Sequence, residues 1–165
     1  MAGSIILIGM PGAGKSTTGV LLAKALGYDF LDVDVKIATQ QGRTLNQIIE
    51  ADGIDAFLRI EEETGRTLQV EKTVVATGGS MALLDGAMEN LTRLGTCVYL
   101  SLPVEELTRR MGETKHTRGI AAAPDVTIEQ IFAHRQPYYE RHADITIDCA
   151  GKTIEEVVQE LVRCC

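Results

Sequence analysis

Gly9-Met10-Pro11-Gly12-Ala13-Gly14-Lys15-Ser16-Thr17 carries the spacing G-x-x-x-x-G-K-S, and these residue types at this spacing suit the holding of a phosphate chain. Glycines let successive backbone N–H groups point inward around a phosphate oxygen, where a Cβ would clash or forbid the dihedral. A lysine at the end of the loop reaches the β- and γ-phosphates, and the hydroxyl after it is placed to ligate Mg²⁺. The candidate nucleotide-binding residues are Gly12, Ala13, Gly14, Lys15, Ser16 and Thr17. An ordinary glycine-rich turn with a surface lysine would have the same letters without their surroundings. Here the apolar run 4–8 precedes the loop as a buried strand, and 20–26 follows it as a helix closed by Gly27. That helix presents unpaired first-turn N–H groups and its positive end to the same anion.

Asp32 and Asp34 stand at the end of a second strand-like run, 28–31. Two residues apart in an extended segment, their carboxylates are expected to point the same way. One of them can then hold a Mg²⁺ water while the other accepts a proton from an attacking hydroxyl; the competing reading is a pair of solvated acids in a turn. Gly78-Gly79 is either a plain turn or a backbone N–H pair near the γ-phosphate. Arg118 lies in a polar, irregular stretch, 112–125. It is either a solvated loop arginine or a cation that swings over the transferring group when the loop closes. Arg59, Arg109, Arg110 and Arg135 fall on helical stretches, and His116, His134 and His142 show no metal-ligand spacing.

The elements that must position these groups alternate. Further strands are expected at 73–77, 96–100 and 144–148. Helices are expected from Val35 to the stop at Gly42, after the cap Thr44 with a bend at Asp52-Gly53, over 81–94 and 104–111, from 128 to an interruption at Pro137, and over 154–162. Strands alternating with helices, several of them continuously apolar, imply an α/β fold with a parallel sheet covered on both faces. In such a sheet ligands bind beyond the carboxyl ends of the strands. Three of the five expected strands deliver their distinctive residues there. One domain over 1–165 is expected, with 112–125 as its only long loop.

A formal charge of −7 makes the chain a poor general binder of nucleic acid or anionic membrane, so any anionic ligand needs a local cluster of cations. No apolar run reaches membrane-spanning length, and the strand starting near residue 4 argues against a secretory leader. Cys97, Cys149, Cys164 and Cys165 lack metal-ligand spacing, which suits a reduced, cytoplasmic setting.

Taken in order, the phosphate loop, Leu31-Asp32-Val33-Asp34, Gly42-Arg43, Phe57-Leu58-Arg59-Ile60-Glu61-Glu62, Gly78-Gly79, Arg109-Arg110, Arg118 and Arg135-Gln136-Pro137-Tyr138-Tyr139 resemble the shikimate kinase family over nearly the whole chain. The resemblance implies a three-layer α/β/α fold of the nucleoside monophosphate kinase type with a five-stranded parallel sheet and a mobile lid. It implies phosphoryl transfer from MgATP to the 3-hydroxyl of shikimate, a small-molecule partner, and a monomer. Carried over by position, Lys15 and Ser16 serve the phosphates and Mg²⁺, and Asp32 supports the metal through water. Asp34 binds the substrate hydroxyls as base, and Gly78 and Gly79 belong to a substrate loop. Arg110 packs on adenine, Arg118 is the lid arginine, and Arg135 grips the substrate carboxylate. Three positions depart from the family pattern. Leu58 stands where an arginine completes the carboxylate grip, Ser80 replaces a third glycine, and Arg118-Gly119-Ile120-Ala121 lacks the usual proline and leucines. Arg59 follows one residue later, about 100° around a helix, as a candidate replacement. Two further readings stay open: a same-fold kinase for another polyol or hydroxy acid, and a nucleotide-binding protein without transfer activity.

Overall fold

The apolar run that leads into the phosphate loop can be satisfied only where both of its faces are covered, and it forms the central strand. The computed structural model describes residues 3–112 and 119–165. Among the described residues β1 (Ser4–Ile8), β2 (Asp29–Asp32), β3 (Thr73–Ala76), β4 (Gly95–Ser101) and β5 (Ile145–Asp148) form one parallel sheet in the order β2-β3-β1-β4-β5. Every residue of β1 and β3 is buried, as a strand between two helical layers requires. The chain leaves β1 toward one edge and later crosses to the other, so the crevice expected for ligands opens at the carboxyl end of β1.

Helix α1 (Lys15–Leu26) packs on β3 and against α8 (Ile154–Cys164), while α5 (Asp85–Leu94) lies on β1 and β4 and is backed by α4 (Ile54–Thr67). Between them the chain forms α2 (Val33–Gln41), α3 (Leu45–Asp52), α6 (Val104–Met111) and α7 (Ile128–His142). Thr44, Thr127 and Thr153 each close a reciprocal capping box with the glutamine or glutamate three residues on, each cap contributing about 1 kcal/mol. The bend expected at Asp52-Gly53 is real: Gly53, at φ 90°, ends α3 and starts α4.

Three expectations are corrected. Asp34 is not part of an extended pair, because Asp32 caps α2 by accepting from the N–H groups of Asp34 and Val35, so the strand turns into helix between the two acids. The stretch 81–94 is a single 3-10 turn, Met81–Leu83, broken at Leu84 before α5 begins. Helix α7 does not stop at Pro137. It continues to His142 with Pro137 exposed and Tyr139 fully buried, so the packing of the residues beyond the proline outweighs the donor it removes.

Candidate active site

Gly14, in the left-handed region at φ 87°, caps α1 and turns the loop so that Lys15 begins the helix. The Lys15 side chain is buried, and its Nζ donates to the carbonyls of Gly9 at 2.7 Å and Met10 at 2.8 Å. Burial lowers its pKa to about 8, partly opposed by the Asp34 carboxylate. Ser16 Oγ donates to Asp32 Oδ2 at 2.5 Å, which joins the expected metal-holding hydroxyl to its expected carboxylate. Oxygen groups of this kind suit a hard cation such as Mg²⁺.

Because Asp32 is occupied as helix cap, Asp34 is free to face the other way. It lines a cavity of about 530 Å³ between the phosphate loop and Gly78-Gly79, whose walls include Pro11, Phe57, Ile120 and Arg135. Burial, with the Asp32 charge adding to it, raises the Asp34 carboxyl to about 6, the range that suits a general base near neutrality. Asp34 Oδ1 has no hydrogen-bond partner among the described residues.

The floor of the cavity admits no side chain. A Cβ on Gly78 would stand 2.8 Å from Asp34 Oδ1 and 2.6 Å from Glu61 Oε1, and one on Gly79 would stand 3.0 Å from Arg135 Nη1. Arg135 is 3% exposed and donates through Nη2 to the Ala121 carbonyl at 3.1 Å, tying α7 to the stretch that begins at Gly119. One turn on, Tyr139 donates from its hydroxyl to the Gly79 carbonyl and stacks on Tyr99, which fixes the floor to the core. Arg110 lies at the opposite end, held by Glu106 at 3.0 Å and donating to the Gly12 carbonyl at 3.3 Å.

The structure brings together Lys15, Ser16, Asp32, Asp34, Gly78, Gly79, Arg110 and Arg135. It does not bring Arg59 to them. Arg59 is exposed and lines a separate groove with Lys36 and Glu63 between α2 and α4, since the turn of the helix that carries Phe57 inward carries Arg59 outward. Arg118 lies outside the described residues. One site residue escaped the sequence reading. Glu61 lines the cavity, has no exposed surface, accepts from Ser80 Oγ through Oε2 at 2.5 Å, and has its Oε1, without a partner among the described residues, against Gly78. Burial raises it to about 7, against the pull of the Ser80 bond. Its signal in the sequence was a carboxylate four residues after Phe57, on the inward face of α4. Ser80 likewise turns its side chain toward Glu61.

A family model described as shikimate kinase matches residues 11–165. The chain is 40% identical over 169 residues to a shikimate kinase of Chlorobium chlorochromatii, covering 96% of this chain and 88% of the relative. It superposes with a TM-score of 0.89 on a shikimate kinase from Acinetobacter baumannii in complex with shikimate, at 30% identity and covering 99% of this chain and 93% of that one. A thymidylate kinase from Candida albicans, at 16% identity and a TM-score of 0.58 over 99% of this chain and 90% of that one, shares the fold alone. With a phosphate loop, two carboxylates and a buried guanidinium lining one pocket, the chain belongs to the shikimate kinase family.

Proposed function

We infer that the protein transfers the γ-phosphoryl group of ATP to a hydroxyl of shikimate. The observation that carries this reading is the floor at Gly78-Gly79, where two carboxylate oxygens stand over one glycine and a guanidinium nitrogen over the next. A small molecule with hydroxyls at one end and a carboxylate at the other matches that order of acceptors and donor. ATP lies along the phosphate loop, with Lys15 leaving the Gly9 and Met10 carbonyls for the β- and γ-phosphate oxygens. Asp34 takes the proton of the acceptor hydroxyl, whose oxygen attacks the γ-phosphorus as the bond to the β-phosphate oxygen breaks. Lys15 and, from the lid, Arg118 neutralise the charge on the transferring group, and Arg110 flanks the adenine. Ser16 and, through water, Asp32 would hold Mg²⁺, which supplies charge neutralisation between the β- and γ-phosphates when bound.

The cavity draws on residues from Pro11 to Arg135, which supports one kinase domain with 112–125 as its lid, and a monomer sufficient for activity. Four free cysteines support a reducing, cytoplasmic setting; among the described residues no helix is long and apolar enough to cross a membrane.

A second reading, a kinase for another hydroxy acid, is favoured by the single cation at the acceptor end. With Leu58 in place of arginine and Arg59 turned outward, Arg135 alone among the described residues faces an acceptor carboxylate there. ADP release with MgATP, measured first with shikimate and then with a panel of hydroxy acids and sugars, separates the two. Turnover specific to shikimate is expected. Rapid turnover only with another acceptor would replace the reading, and no transfer to any acceptor would leave a nucleotide-binding protein.

A further inference from the structure

The two helices that wall the acceptor end of the cavity also enclose a second concavity on their outer side. Lys36 lies two residues beyond Asp34 on α2, and Arg59 lies between Phe57 and Glu61 on α4. The helices pack on each other, and both cations line a groove of about 490 Å³ with the amides of Gln40 and Gln41 and the apolar side chains of Ala56 and Ile60. Neither cation has an ion-pair partner among the described residues. The arginines next along each stretch are taken: Arg43, just past α2, holds Asp52, and Arg66, two turns beyond Arg59, holds Glu63 through two nitrogens. Glu63, the groove's own acid, is therefore already engaged. In a chain of net charge −7, two unneutralised cations brought into one concave surface by different helices attract an anion there.

We propose that this groove is a site for a small organic acid, a carboxylate on an apolar body, and that the bound acid acts on the acceptor cavity through α2 and α4. The carboxylate meets Lys36 and Arg59, the glutamine amides add donors, and the apolar body covers Ala56 and Ile60. A bare phosphate would leave that apolar wall unused. The two helices set like charges beside each other on both sides. On the cavity side these are Asp34 and Glu61, whose oxygens both lie against Gly78, and on the groove side they are Lys36 and Arg59. An anion between the two cations removes the outer repulsion and joins the helices at the spacing that assembles the acceptor end, so it favours acceptor binding. The coupling rests on the reading of the cavity as an acceptor site; the groove itself does not.

The test is calorimetry with 4-methylbenzoate on the protein holding ADP and saturating shikimate, which keeps the active site filled. One site with a Kd on the order of 1 mM is expected, the reach of about ten ligand atoms, and the neutral 4-methylbenzyl alcohol should bind at least about 10-fold more weakly. Arg59→Gln and Lys36→Gln should each weaken the benzoate about 3- to 10-fold. Arg93→Gln, which removes an exposed arginine outside the groove, should leave it unchanged. Equal binding of the alcohol, equal weakening by Arg93→Gln, or inorganic phosphate bound as tightly as the benzoate would overturn the site. In the assay, saturating 4-methylbenzoate should lower the KM for shikimate about 5-fold, and shikimate should tighten benzoate binding by the same factor. An unchanged KM would overturn the coupling, and a raised KM would place the benzoate in the acceptor cavity and overturn the inference. A wild type inactive on shikimate removes the acceptor reading and the coupling with it, and the groove is then tested by the same titrations with ADP alone.

Discussion

Gly78 has a hydrogen where any other residue would place carbon between two carboxylate oxygens. Its neighbours on that side are side-chain atoms of Glu61 and Asp34, each already held by other bonds or by burial. A methyl group there must displace one of them or lift the floor. Gly78→Ala is therefore expected to lower kcat/KM for the acceptor about 100-fold, the usual effect of an ångström-scale misplacement, with ATP affinity within twofold of wild type by calorimetry, roughly no change on the scale of RT. A comparable loss in ATP binding would place the damage in the phosphate loop instead. At this scale the convergence of Lys15, Ser16 and Asp34 on one cavity was readable from their places at the carboxyl ends of strands. The signal was faint at Glu61, which sits in the acidic run Glu61-Glu62-Glu63. Only the four-residue spacing from Phe57 sets Glu61 apart from the other two. Glu63 pairs with Arg66 on the surface, Glu62 reaches the Gly86 N–H, and Glu61 alone is fully buried.

Helix α4 decides what the acceptor meets. Phe57 and Glu61, four residues apart, face the cavity, while Leu58 packs half-buried against the core and Arg59 turns to the opposite groove. Leu58→Arg is expected to lower the KM for shikimate roughly 10-fold, the lower end for a charged hydrogen bond, with kcat little changed. An unchanged KM would show that Arg135 already supplies the whole grip. Element types and order were legible because hydrophobic period and turn residues agreed with the tertiary structure over most of the chain. They misled in two places where packing overrode local preference. Pro137 lies inside a helix whose buried anchors stand on both sides of it, and the broken 81–94 stretch follows from Ser80 and Met81 being drawn into the core beneath the floor. The Asp32 cap was a third lesson, since a strand-end aspartate both finishes one element and starts the next.

The molecule as a whole bears the cost of burying acids at its active site, and its stability should register it. Glu61 has its folded pKa raised from 4.5 to about 7, so its contribution to stability is fully present below about pH 4.5 and is lost as pH rises through 7. Ionised at pH 8, it disfavours the folded state by on the order of 3 kcal/mol, whereas an amide of the same shape titrates nowhere in this window. Glu61→Gln should therefore raise the urea midpoint relative to wild type at pH 8, with the gain shrinking toward pH 5. A gain equal at both pH values, or larger at pH 5, would contradict the buried, titrating carboxyl. The sheet carries a different consequence. The donor loop leaves β1 and the acceptor floor leaves β3, and these strands are paired Ile5 with Val74, Ile6 with Val75 and Leu7 with Ala76. A slip of that pairing by one residue would displace one reactant from the other by about 3.3 Å along the strands, more than an in-line attack tolerates. The hydrogen-bond register between two buried strands is thus the ruler that sets the distance over which the phosphoryl group travels.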